Sequence, residues 1–223
     1  MTLADWTPRP RPGKVELTGQ YCRLEPLDWT VHKDGLFQAI CGDGNDGLWT
    51  YLFFHPFPDP EALAAGFETG RRKAGLETLV IRSQRSGRVL GMGSYMNISE
   101  ANGTAEIGSI VFGPELQRSR EATEAIYLTA AHVFDDLGYR RYEWKCADTN
   151  EPSKRAAIRF GFLPEGLFRK HMVVKGQNRD TAWFAMTDDD WAGYKPAYEA
   201  WLNPANFDEA GQQRQPLLVR GTR

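Results

Sequence analysis

Ala105-Glu106-Ile107-Gly108-Ser109-Ile110-Val111-Phe112-Gly113-Pro114-Glu115-Leu116-Gln117-Arg118-Ser119-Arg120 changes character half-way along. Up to Phe112 it is rich in apolar and β-branched residues and reads as a strand, closed by Gly113-Pro114. From Glu121 the period becomes helical: Ala122, Ile126, Ala130, Val133 and Leu137 fall on one face, and Gly138 ends the run. Between the two lies a polar, basic turn feeding a helix N-terminus, where free N–H groups and the helix dipole favour an anion. An ordinary solvated, Ser-capped helix start has the same signature. No Walker pattern and no glycine-rich dinucleotide fingerprint occurs in the chain.

Working outward, Val15 to Leu24 is a candidate strand and Trp29 to Ile40 a candidate helix. Gly42-Asp43-Gly44-Asn45-Asp46-Gly47 is a loop by composition. Asp59-Pro60-Glu61 starts a helix reaching Ala74, with proline in the first turn where its missing N–H is harmless. Thr78 to Ser83, Val89 to Met96 and Ala105 to Phe112 are successive strands. After the helix Glu121 to Leu137 come a strand Tyr142 to Cys146, a helix Ser153 to Phe160 and strands Phe168 to Val174 and Thr181 to Met186. Asp188 to Leu202 is a last helix. Hairpins and crossovers together predict an α/β (α+β) fold with a mixed sheet flanked by helices, not a doubly wound parallel one. Residues 1–13 form a proline-rich lead, 14–202 one domain, and 203–223 a polar, glutamine-rich tail expected to pack loosely.

The chain has 223 residues, 41% of them hydrophobic, enough for a substantial core. Its formal net charge of −2 argues against nucleic acid as a partner. No apolar run is long enough to span a bilayer and no signal peptide is evident, so no membrane association is expected. Cys22, Cys41 and Cys146 are odd in number, lack metal-type spacing and read as reduced thiols of a cytoplasmic protein.

Further motifs follow in order: Gly138-Tyr139-Arg140-Arg141, Asn150-Glu151-Pro152-Ser153, Gly161-Phe162 and Arg179-Asp180-Thr181-Ala182-Trp183-Phe184. Together with Glu106, Gln117-Arg118 and Thr123-Glu124-Ala125, this series resembles the GNAT superfamily of acyl-CoA-dependent N-acyltransferases. Within it the chain is similar to the branch related to the ribosomal-protein N-terminal acetyltransferases RimJ and RimL, over about residues 15–202. The resemblance implies a mixed sheet splayed at its middle, with acetyl-CoA or another short acyl-CoA as co-substrate wedged in the split. The pyrophosphate loop then matches Gln117, Arg118, Ser119, Arg120, Glu121 and Ala122, followed by Thr123. The superfamily usually has glycines where Arg118 and Arg120 stand, so the backbone approaches the phosphates less freely.

Acyl transfer to an amine needs a neutral nucleophile, a polarised thioester and a proton for the departing thiolate. Glu106, an acid in an apolar strand, matches the general base of many superfamily members, and burial would raise its pKa toward the working range. A charge at the sheet edge, or one paired with an arginine, has the same appearance. By the same resemblance the backbone N–H groups around Val111 and Phe112 polarise the thioester. The resemblance also implies that Asn150 bonds the pantetheine arm and that Ser153 donates the proton to the thiolate, although serine at a helix start is also a good cap. Lys154 and Arg155 meet the phosphates or lie on a solvated helix face.

On the acceptor side, Trp49, Tyr51 and Phe54 belong to an aromatic loop cluster that either walls the acceptor pocket or is core beneath a loop. His171 and Asp180 could flank the acceptor, Asp180 paired with Arg179. His32 and His132 read as surface helix residues, Cys146 as a small buried thiol, and no metal site has support. The expected partner is an amine, a small molecule or a protein N-terminus, and many relatives pair as homodimers. A CoA-binding module without catalysis, and an interaction domain on the same scaffold, are the rival readings.

Overall fold

In a computed structural model, residues 3–219 are described; Met1, Thr2 and residues 220–223 of the lead and tail lie outside the described residues. The chain folds as β1 (Leu17–Thr18), β2 (Cys22–Pro26), α1 (Trp29–Ile40), a 3₁₀ turn (Asp46–Trp49), α2 (Pro60–Ala74), β3 (Glu77–Ser83), β4 (Val89–Ser99) and β5 (Thr104–Phe112). Next come α3 (Arg120–Ala131), a π turn (His132–Asp136), β6 (Arg141–Ala147), α4 (Glu151–Arg159), β7 (Leu163–Val174), β8 (Gln177–Thr187) and α5 (Asp188–Leu202).

Local chemistry sets most of these limits. Asp28 and Asp59 cap α1 and α2 by accepting the N–H of Thr30 and Ala62. Pro60 occupies the first turn of α2, and Gly75, at φ 62°, stops it in the left-handed conformation. Thr187 and Asp190 form a reciprocal capping box at α5.

The eight strands form one sheet in the order β1-β2-β3-β4-β5-β6-β8-β7. Neighbours are antiparallel, through hairpins at β1–β2, β3–β4, β4–β5 and β7–β8 and through longer connections at β2–β3 and β6–β8; β5 and β6 alone are parallel, with α3 crossing over between them. One face packs on α3, α4 and α5 through Ile126, Ala130, Trp144, Ala157, Phe162, Trp191 and Tyr198. The other packs on α1 and α2 through Leu36, Ile40, Trp49, Leu63, Phe67, Val80, Met92 and Val111. The mixed α/β sheet flanked by helices is therefore as the sequence implies.

Three expectations are corrected. The strand expected from Val15 to Leu24 is broken at Gly19-Gln20-Tyr21 into β1 and β2, which pair antiparallel. The cause is remote: the buried Glu124 carboxylate on α3 accepts the backbone N–H groups of Gln20, Tyr21 and Cys22 at 2.7, 2.6 and 2.7 Å. A Cβ at Gly19 would lie 2.4 Å from Glu124 Cδ, so the close approach requires glycine. His32 and His132 are not surface residues; both are buried, with His32 Nε2 2.7 Å from Glu25 and His132 Nδ1 2.9 Å from Asp136. The tail does not pack loosely either. Phe207 and Leu217 are buried against the core, and Gln213 accepts the Trp201 indole N–H at 2.9 Å.

Glu68 ties α1 to α2, accepting the Trp29 indole N–H at 3.0 Å and Arg71 Nε at 2.7 Å. Those donors, Arg71 first, lower its carboxyl to about 2. A depressed carboxylate stabilises the fold above its ordinary value and ceases to do so as pH falls through the folded value. Glu68→Gln is expected to destabilise by about 1 kcal/mol at pH 7. In urea denaturation the difference from the parent should shrink below the ordinary value of 4.5 and vanish below about 2.

Candidate active site

The parallel pair β5–β6 is short. Thr104, Ala105 and Glu106 pair with Arg141, Tyr142 and Glu143, and beyond them the strands part. Where they part, β5 carries a bulge: the register with β4 passes from Ser94↔Gly108 to Met92↔Val111, and Ser109 sits at φ 46°. A bulge adds a residue, bends the strand and leaves backbone groups unpaired. It also changes which residues share a face, so Glu106 and Val111 both lie toward α1 and α2. The sheet is thus splayed beside its parallel pair.

The N-terminus of α3 follows the bulge. Ser119 caps it, accepting the Ala122 N–H at 3.0 Å. Arg118 sits at φ 59°, so a bulky residue holds a left-handed conformation that glycine adopts without strain. The side chains expected to meet phosphates are mostly committed elsewhere. Gln117 Nε2 donates to Phe112 O at 2.9 Å, and the Arg120 guanidinium lies over Tyr21 and Phe207 at 4.7 and 4.9 Å. Ala122 and Thr123 are buried, with Thr123 Oγ1 accepting from Arg159 at 3.1 Å. The Gln117, Ser119 and Ala122 N–H groups donate to Gly113 O, Leu116 O and Ser119 Oγ, so what this turn offers an anion is its remaining backbone N–H groups, the dipole and the exposed Arg118. A parted sheet leading to a capped helix N-terminus fits the extended, anionic arm of an acyl-CoA.

Glu106 lies inside the sheet, 4% exposed, not at its edge. Its partner is a lysine and not an arginine: Lys145 Nζ is 2.8 Å from Glu106 Oε2 and 2.7 Å from Glu143. Asn97 Nδ2 also donates to Glu106 Oε2, at 2.7 Å. Burial pushes the Glu106 carboxyl up, while Lys145 and Asn97 pull it back without cancelling the rise. Lys145 also sits 3.8 Å from the centre of the Trp183 ring.

Across the split, Asn150 is the cap of α4, its Oδ1 accepting the Ser153 N–H at 3.2 Å. Ser153 is thereby released from capping. Its Oγ accepts the Trp144 indole N–H at 2.9 Å, on the strand that also carries the Cys146 thiol. Burial pushes that thiol up, so Cys146 is poorly suited to nucleophilic attack. Lys154 pairs with Asp148 and Glu151 at 3.2 and 2.6 Å.

A cavity of about 290 Å³ opens where β6 and β8 meet the loop after the 3₁₀ turn, with Thr50, Tyr51, Thr149, Lys175 and Arg179 in its wall. The Tyr51 hydroxyl donates to Thr149 O at 3.2 Å. Trp49 and Phe54, expected in the same wall, are placed otherwise. Trp49 is fully buried in the core, its indole N–H donating to Ile40 O at 2.8 Å, and Phe54 packs on Phe57 and Phe67 against α2. His171 is on β7, its Nδ1 3.0 Å from Thr181 Oγ1. Asp180 does not pair with Arg179; it accepts the Lys170 N–H at 2.7 Å and Asn178 Nδ2 at 2.9 Å.

The structure adds Asn97, Lys145, Arg179 and Trp183 to this region. The alternation Arg141, Glu143, Lys145 signals a charged strand face, but nothing local says that this face turns toward Glu106. Among the described residues, no group of three or more His, Cys, Asp or Glu is placed to hold a metal ion, and no helix is long and apolar enough to cross a membrane.

A sheet opened at its parallel pair, with a helix N-terminus behind the opening, is the architecture of the acyl-CoA N-acyltransferases that the sequence resembles. The acetyltransferase (GNAT) domain family matches residues 23–163, more than half of the 223 residues, and the chain belongs to that family. A GCN5-related N-acetyltransferase from Brucella melitensis superposes with a TM-score of 0.90 at 48% identity, covering 96% of this chain and 97% of that one. A GNAT-family protein from Chromobacterium violaceum ATCC 12472, titled a probable acetyltransferase, gives 0.80 at 38% identity, over 86% and 96%. YdaF of Bacillus subtilis (strain 168), named provisionally as a ribosomal N-acetyltransferase, is 30% identical over 109 residues. That match spans 49% of this chain and 59% of YdaF.

Proposed function

We propose that the protein transfers an acetyl group from acetyl-CoA to a primary amine, by direct attack within a ternary complex. The observation that carries this reading is the position of Glu106: a buried carboxylate of raised pKa on the last paired residue before β5 and β6 part. A base placed there takes the proton of the amine as its nitrogen bonds to the thioester carbon. Backbone N–H groups at the bulge and at Val111 and Phe112 face the developing oxyanion. When the carbon–sulfur bond breaks, Ser153 supplies the proton that converts the thiolate to a thiol. The backbone of residues 117–123, with Arg118, holds the pyrophosphate, and Asn150 Nδ2 is left to bond the pantetheine arm. Tyr51 and His171 line the approach of the amine. The RimJ/RimL resemblance and the name of YdaF favour a protein N-terminus or a small amine as acceptor, in the cytoplasm.

Calorimetric titration with acetyl-CoA tests the reading first: micromolar binding supports it, and no binding of any acyl-CoA overturns it. Ser153→Ala is expected to lower kcat about 10²-fold with the acetyl-CoA KM nearly unchanged, since proton donation matters only as the thiolate leaves. Equal losses in kcat and Tm, reflecting the Trp144 indole N–H left without its acceptor, would make Ser153 structural.

A further inference from the structure

Among the described residues, Arg179 is a cation with no ion-pair partner. It projects from β8 on the same side as Thr181 and Trp183, toward the face that carries Glu106 and Lys145. Its Nε is buried with no hydrogen-bond partner, and among the described residues no carboxylate lies within ion-pairing distance of its guanidinium. Phe53 is the group against it, with its ring centre 5.2 Å from the guanidinium carbon. A buried guanidinium donor left unsatisfied is unfavourable, and such groups normally have partners.

The surroundings show where a partner fits. Arg179 lines the cavity of about 290 Å³, on β8, the strand that pairs with β6 and sets Trp183 opposite Lys145. The two carboxylates in the cavity wall are already occupied: Asp148 by Lys154, and Asp180 by the Lys170 N–H and Asn178. The other cation in the wall, Lys175, donates to Trp49 O at 2.8 Å. A planar guanidinium beside a cavity is suited to bidentate recognition of a carboxylate.

We propose that Arg179 forms a carboxylate subsite of this cavity, so that one of the two reactants carries a carboxylate as well as its reacting group. This rests on the acyltransferase reading. The carboxylate belongs either to the donor, as the terminal acid of a dicarboxylic acyl-CoA, or to the acceptor, as the acid of an amino acid.

Two paired comparisons separate the sources. In calorimetry, succinyl-CoA is titrated against acetyl-CoA. In turnover with acetyl-CoA, a mixture of the common amino acids is compared with the corresponding α-carboxamides, and products are read by mass spectrometry. One pair is expected to favour the carboxylate by about tenfold or more, as a charge-assisted hydrogen bond does. Arg179→Gln should bring that ratio to about one, and Arg179→Lys should restore part of it. Discrimination in the first pair assigns the subsite to the donor, and in the second to the acceptor. Wild-type protein that binds acetyl-CoA but discriminates in neither pair overturns the subsite and leaves the acyltransferase reading intact. So does an Arg179→Gln variant that keeps the ratio. If Arg179→Gln does not fold, the wild-type ratios and Arg179→Lys still decide. Failure to bind any acyl-CoA overturns both.

Discussion

Glu106→Gln is expected to lower kcat by about 10²–10³-fold while leaving the affinity for acetyl-CoA nearly unchanged, the range general-base catalysis commands. Glutamine keeps the shape and can still accept the Asn97 amide, but it cannot take a proton at neutral pH. Lys145 retains Glu143 at 2.7 Å, so the variant does not strand an unpaired buried charge. A pH profile adds a readout that a structural role would not move. The base must be ionised to act, and burial raises its carboxyl above the ordinary 4.5, so kcat/KM should fall as pH drops through that raised value. Lys145 pulls the carboxyl down, so Lys145→Met should shift this acid limb to higher pH. Equal loss of kcat and acetyl-CoA affinity in Glu106→Gln, or an acid limb indifferent to Lys145, would make the carboxylate structural.

Glu124→Ala should destabilise the fold by about 3–5 kcal/mol. The side chain is 3% exposed and accepts three successive backbone N–H groups, those of Gln20, Tyr21 and Cys22. Alanine leaves these donors facing a void at the turn between β1 and β2, and detaches that turn from α3. Thermal unfolding should drop by about 10 °C, at roughly 2–4 °C per kcal/mol for a domain of this size. Glu124→Gln, which keeps one acceptor and turns an amide N–H2 group on the others, should fall between. A loss below about 1 kcal/mol by urea denaturation would show that water replaces the carboxylate readily.

The two residues mark different depths of legibility. Glu106 could be singled out in the sequence because an acid interrupts an apolar strand, and the turn at Gln117–Arg120 because a strand stops and a helix starts around it. The limits of α1 and α5 were readable to the residue, since a cap and its helix are neighbours in the chain. So was the mixed sheet, because hairpin spacings and one crossover helix dictate strand direction.

Nothing local reveals that Glu124 reaches back to the turn at Gln20–Cys22, or that Arg120 turns away from the phosphate turn onto Tyr21 and Phe207. Helical spacing put His32 on the surface because it could not include Glu25, the partner on β2 that makes its burial tolerable. Trp49 and Tyr51 are equivalent as aromatic loop residues, yet one is core and the other lines the cavity. By itself the sequence determined the elements, their order and the kind of chemistry the chain can hold. Only the tertiary structure decided which charge faces which: Lys145 on Glu106 and, among the described residues, no carboxylate on Arg179. Capping and periodicity are interactions between near neighbours in the chain, whereas burial and ion pairing depend on distances that exist only once the sheet has closed and splayed.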